Sequence, residues 1–125
     1  MCDILISINP EHVRNILNGT KRFEFRKVPC RRDVERMIIY STSPVMKVVA
    51  EAEVKDILTD DPGSIWERTA DRAGISRGFF DRYFEGRDTA VAFELGEVTE
   101  YEEPRDLSRY GVGSPPQSFI YLRSS

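Results

Sequence analysis

The order of the apolar segments constrains this chain more than any single residue does. Ile4 to Ile8, Met37 to Tyr40, Val45 to Leu58, Thr89 to Leu95 and Phe119 to Leu122 read as strands, through short apolar runs or period-two alternation. Helical patterns occur in only two places: one early helix after Asn9, and a helical pair between about Ser64 and Gly86. A parallel sheet needs a crossover after nearly every strand, so this order predicts an α+β fold built on a small mixed barrel of five to six strands.

The helix boundaries are written in the chain. Asn9-Pro10-Glu11 supplies an N-cap, a proline at the first helical position and an acid in the first turn, and Gly19 supplies the stop. Val13, Ile16 and Leu17 form the inward stripe, which leaves His12 on the outer face as a surface residue. Ser64-Ile65-Trp66-Glu67 reads as a capping box after the turn Asp60-Asp61-Pro62-Gly63, with a helix through about Ala73 closed by Gly74. A second helix from Ser76 to Gly86 carries Phe79, Phe80, Tyr83 and Phe84 on one side, a spacing typical of core, with Tyr83 reserved for a polar task. Val48, Ala50, Ala52 and Val54 share one face of the long middle strand, and the two alanines there suit a tight barrel interior. Glu97 to Glu103 reads as a continuation of the Thr89–Leu95 strand after a kink at Gly96.

Between the first helix and the second core strand lies the stretch Gly19-Thr20-Lys21-Arg22-Phe23-Glu24-Phe25-Arg26-Lys27. Alternation puts Phe23 and Phe25 on one face and Arg22, Glu24 and Arg26 on the other, so the aromatics bury and the charges point out together. Such a row is ordinarily a solvated, cross-strand-paired surface. The same row also suits a carboxylate that keeps guanidiniums in place for a planar or anionic ligand. Lys21 falls on the Phe face by parity, which places it in the turn before regular pairing begins.

Composition narrows the chemistry. The 125 residues fit one domain spanning 1–125, and the apolar runs are too short to cross a bilayer. The N-terminus lacks the features of a signal peptide, so a cytoplasmic protein is expected. Two cysteines and one histidine make neither a disulfide framework nor a metal site, so no metal and no cofactor are expected, and a Ser-His-Asp hydrolase is disfavoured. Cys30 beside Arg31 and Arg32 reads as a bystander thiol whose pKa falls if it is exposed. The net charge is −3, yet residues 21–36 alone carry +4 and leave −7 for the rest. A local basic patch on an acidic body suits one selected anionic ligand better than a long polyanion.

The spacing Gly-x-Lys-x-x-Glu-x-Arg straight after a short capped helix resembles the signature of the ASCH family, small relatives of the PUA RNA-binding domain. The resemblance continues in the Ile39-Tyr40-Ser41-Thr42 strand end, in the Ile65-Trp66 to Tyr83-Phe84 insertion and in the closing segment Pro115-Pro116-Gln117-Ser118-Phe119. It implies a PUA-like barrel with helices packed at its mouth. It also implies a cleft beside the barrel lined by Lys21, Glu24 and Arg26. RNA, a nucleotide or a nucleoside is the expected partner, with Lys21 and Arg26 on phosphate or a base edge, Tyr40 or Tyr83 stacking, and Ser41 lining the pocket.

Some ASCH proteins are amidohydrolases on N4-acylated cytidine and others are ribonucleases. In the amidohydrolase subgroup a threonine stands where this chain has Glu24, which removes that hydroxyl nucleophile. An enzyme of this kind would use Glu24 as base and Lys21 or Arg26 as oxyanion support, with a further acid from Glu67 or Asp71. A third reading, a non-enzymatic protein-interaction adaptor, calls for an exposed aromatic patch among Phe79 to Phe84.

Overall fold

A computed structural model describes residues 2–31 and 33–122 of the chain, so Arg32 of the basic window lies outside the described residues. The strands are β1 (Cys2–Ile8), β2 (Phe23–Arg26), β3 (Val34–Ser41), β4 (Lys47–Asp60), β5 (Ala90–Arg105) and β6 (Phe119–Leu122). The helices are α1 (Pro10–Leu17), α2 (Pro62–Thr69) and α3 (Arg77–Tyr83), with short 3-10 turns at Ala70–Arg72 and Leu107–Tyr110. None of these helices is long and apolar enough to cross a membrane.

One six-stranded sheet runs in the order β2-β5-β4-β3-β1-β6. All neighbours are antiparallel except β1 and β3, which pair in parallel through the α1 crossover. The sheet curls into a half-barrel, a mixed α+β architecture of the kind its element order predicts. Its interior is filled by Ile4, Ile6, Met37, Ile39, Ala50, Ala52 and Phe93, and Val13 and Ile16 of α1 plug the same core. The small, buried side chains of Ala50 and Ala52 allow this close curl, with Glu51 and Glu53 on the opposite face of the strand.

A second core lies on the other side of β2 and β5. Phe23, Phe25, Ala90 and Ala92 bury there against Ile65 of α2 and Phe80 of α3, with Phe84 just past the helix end. Phe25 meets Phe80 nearly edge-on with centroids 5.2 Å apart, a geometry worth about 0.5–1.5 kcal/mol beyond its buried area. This core docks the α2–α3 pair onto the edge of the sheet.

Two sequence expectations need adjustment. The N-cap of α2 is Asp61, whose carboxylate accepts from the Ser64 amide at 2.9 Å and from its hydroxyl at 2.8 Å. The helix therefore begins at Pro62, three residues before the capping box implies, because aspartate and N1 proline form the stronger start signal. The expected kink at Gly96 is a bulge within one sixteen-residue strand: Ala52 pairs with Val98 but Val54 pairs with Leu95, leaving one extra residue on β5.

Candidate functional site

The first wall of the site is built where α1 hands over to β2. Gly19, at φ +86°, ends α1, and the Asn18 side chain accepts from the Thr20 amide at 2.9 Å and from its hydroxyl at 2.7 Å. The Lys21 amide then donates to the Asn15 carbonyl, and the Arg22 amide to the Arg72 carbonyl. Strand pairing starts only at Phe23, opposite Glu94. Lys21 thus precedes the regular strand, and its side chain is free of the parity that would bury it whole under the phenylalanines.

Lys21 is nevertheless one of the most deeply buried side chains, 2% exposed. Its ammonium donates to the Ala73 carbonyl at 3.1 Å, lies 3.6 Å from Glu24 Oε1 and sits 4.9 Å from the centre of the Phe25 ring. Glu24 Oε2 is 2.7 Å from the Arg26 guanidinium. The same Arg26 Nη2 donates to the Ser7 carbonyl of β1 at 2.9 Å. β1 lies four places from β2 in the sheet order, so this bond spans the open mouth of the curled sheet and fixes the triad there. Burial pushes the Lys21 ammonium below its ordinary pKa and Arg26 acts in the same direction, while the Glu24 charge pulls it back up.

The expectation that this charged row points to solvent is corrected. β2 is an edge strand buried on both faces: the phenylalanines meet the α2–α3 core, and the opposite face turns into the mouth of the half-barrel. Glu24 is consequently only 5% exposed. The basic patch is dispersed as well. Arg22 Nη2 donates to the Leu95 and Gly96 carbonyls, Arg36 pairs with Asp3 and Glu51, and Arg31 lies against Asp33 and the Tyr121 ring.

Opposite the triad stands an apolar wall. Ile75, Phe79 and Tyr83 close a cleft with His12, Phe25 and the triad, enclosing about 350 Å³ counted to its open rim. Phe79 is 40% exposed and meets the His12 ring edge-on at 5.3 Å, and Lys27 Nζ lies 4.6 Å from the centre of the Tyr83 ring. The four aromatics of the second helical pattern thus divide. Phe80 and Phe84 are core, while Phe79 and Tyr83 line the cleft, so the broad exposed aromatic patch that an adaptor calls for is not formed by these four residues.

Lys21, Glu24, Arg26 and Tyr83 are therefore brought together. Tyr40 and Ser41 are not among the cleft residues. Tyr40 alternates with Ile39 and so faces away from the barrel interior, packed with Leu5, Ile38 and Val48 and 3% exposed. Ser41 is buried at the end of β3. Glu67 and Asp71 are exposed and also lie outside the cleft. Cys30 is half-buried rather than exposed, so burial raises its thiol above its ordinary pKa and outweighs Arg31.

His12, like Phe79, is a cleft residue that sequence reasoning placed elsewhere. Placed on the outer face of α1, it is half-buried and lines the cleft, because α3 packs over that face. No local signal marks this, since the contact joins residues 12 and 79 across most of the chain.

Comparison with known proteins gives concordant results. A family model described as DUF365, a domain of unknown function, matches residues 7–114. An ASCH domain-containing ribonuclease of Zymomonas mobilis is 32% identical over 126 residues, covering 97% of this chain and 84% of that protein. The crystal structure of ASCH from Zymomonas mobilis superposes with a TM-score of 0.87 at 32% identity, over 97% of this chain and 87% of that one. A large ribosomal subunit protein uL22 of Ureaplasma parvum is 32% identical over 121 residues, and the chain spans 39% of its length.

Proposed function

Because the chain belongs to the ASCH-domain family, we propose that it is a ribonuclease acting on single-stranded RNA in the cleft between Lys21 and Phe79. The observation that carries this reading is the pairing of a buried ammonium and a half-buried guanidinium with an aromatic wall across one narrow opening. An unstacked base inserts against an aromatic face, and its phosphate meets the cations. A base held inside a duplex cannot reach such a cleft. The ribonuclease relative that matches nearly the whole chain supports the same substrate class.

The roles follow from the hydrogen bonds. Lys21 and Arg26 are positioned to stabilise charge developing on phosphate oxygens. Glu24 has one oxygen toward Lys21 and the other on Arg26, so it acts by orienting these two cations rather than by taking a proton. Among the described residues no serine or threonine hydroxyl lines the cleft, which favours a phosphodiester over an N4-acyl amide as the bond broken.

The test is cleavage of a 5′-labelled single-stranded oligoribonucleotide, with a fully paired hairpin alongside. Loss of one oxyanion donor lowers kcat about 100-fold or more, and that is the effect expected of Lys21→Ala. Phe79→Ala, at an exposed position that leaves the core intact, is expected to weaken binding of the single strand by about tenfold, in line with about 1–3 kcal/mol per stacked base. Cleavage that prefers the hairpin, or that ignores both substitutions, would remove the proposal.

A further inference from the structure

We infer that His12 is the proton acceptor of this site, an assignment that rests on the ribonuclease reading: its imidazole, in the cleft wall beside Phe79, takes the proton from the 2′-hydroxyl of a bound nucleotide. Three observations carry it. His12 lines the same cleft as Lys21, Glu24 and Arg26. Its Nδ1 is buried without a hydrogen-bond partner among the described residues, whereas buried polar atoms are ordinarily satisfied and those left open call for an explanation. Its ring plane is set by the edge-on contact with Phe79, 72° between planes.

The electrostatics agree. The charged groups facing His12 are Glu11 from its own helix, Lys21 from the link, and Glu24 and Arg26 from β2, while α3 presents the uncharged Phe79. Burial is the main effect and Lys21 the next, and together they hold the imidazole below its ordinary pKa of 6.5 against the pull of the two glutamates. The ring is therefore unprotonated at neutral pH, the form a base requires.

The step balances within the substrate and water. The 2′-oxygen gives its proton to Nε2 of the ring, the nitrogen that is not shut off from the cleft, and bonds to the adjacent phosphorus. The bond from phosphorus to the 5′-oxygen breaks with its electron pair, and that oxygen takes a proton from water. The imidazolium returns its proton to the hydroxide so formed. One fragment ends in a 2′,3′-cyclic phosphate and the other in a 5′-hydroxyl.

The experiment compares wild type, His12→Ala, His12→Gln and Glu24→Gln on one single-stranded oligoribonucleotide and on its all-2′-deoxy counterpart, across pH, with thermal midpoints recorded for each protein. Both His12 variants are expected to lose about 100-fold or more in kcat, with RNA affinity kept within about threefold. The wild-type rate should rise with pH along a limb below pH 6.5 and then level. That limb should persist in Glu24→Gln and vanish in a folded His12→Gln. The deoxy strand should stay intact and the RNA should show cyclic phosphate ends. Cleavage of the deoxy strand, or near wild-type cleavage with the limb intact in a His12 variant, would overturn the His12 assignment and leave the ribonuclease standing. No cleavage of RNA by wild type would overturn the ribonuclease itself, and the base with it.

Discussion

Glu24 is where stability and the proposed chemistry meet. A carboxylate 5% exposed holds an ammonium 2% exposed and a guanidinium pinned to the Ser7 carbonyl. Removing one partner of a buried ionic group leaves an uncompensated charge and costs about 3–5 kcal/mol, whereas exchanging a whole pair for apolar groups of similar volume is often nearly neutral. Glu24→Leu is therefore expected to destabilise by about 3 kcal/mol, and Lys21→Met added to it should restore more than half of that loss. Urea denaturation of the two singles and the double closes the cycle. Strictly additive losses would show that the ammonium and carboxylate are not coupled. At this scale the sequence revealed the residue types but not their burial. Period two correctly separates Phe25 from Glu24, yet it cannot say that an edge strand has both faces covered. The same limit hid His12, whose outer face on α1 is outer only until α3 is packed against it.

Among the elements, the α2–α3 corner controls the shape of the cleft. Gly74 reads in the sequence as a helix stop, and its φ of +71° agrees. Its second role is a close approach that only the fold reveals: a Cβ there would fall 2.3 Å from Lys21 Cβ and 2.7 Å from Lys21 Cα. Those atoms are held by the Asn15 and Arg72 carbonyl bonds on either side of Lys21, so the neighbour has little room to yield. Gly74→Ala thus combines a left-handed backbone with overpacking, and a loss of about 2–3 kcal/mol is expected. The measurable signature is a lower thermal midpoint together with a displaced Lys21, read as weaker RNA binding. Gly74→Ala with an unchanged midpoint would mean that the corner is not pressed against Lys21 as described. The succession of strands along the chain, the early helix and the inserted pair were all legible, because each depends on local periodicity and caps. Which elements flank Lys21 was not, because that depends on how far the sheet curls.

For the whole molecule, the decisive quantity is how many positive charges remain available to a polyanion. Seven bases crowd residues 21–36 in the sequence, which by count alone would give single-stranded RNA binding a salt slope of about −5, at roughly −0.7 per phosphate neutralised. The fold distributes them otherwise. Among the described residues Arg22 is tied to backbone carbonyls, Arg31 and Arg36 to carboxylates, Lys27 lies over the Tyr83 ring, and Lys21 and Arg26 are the two that line the cleft. With about two phosphate contacts the slope of log K against log salt should be near −1.4. Most of the binding free energy must then come from stacking on Phe79 and Tyr83, which is insensitive to salt. Fluorescence anisotropy of a short labelled RNA across a salt series tests this directly. Arg26→Ala should flatten the slope by about 0.7, whereas Phe79→Ala should lower affinity at every salt concentration and leave the slope alone. A slope beyond about −3 that survives Arg26→Ala would move the RNA path off the cleft and onto the outer basic residues. Short, stacked, weakly salt-dependent engagement is what an acidic body with a small charged mouth can support, and it would restrict the proposed ribonuclease to unpaired segments that can present a single nucleotide at a time.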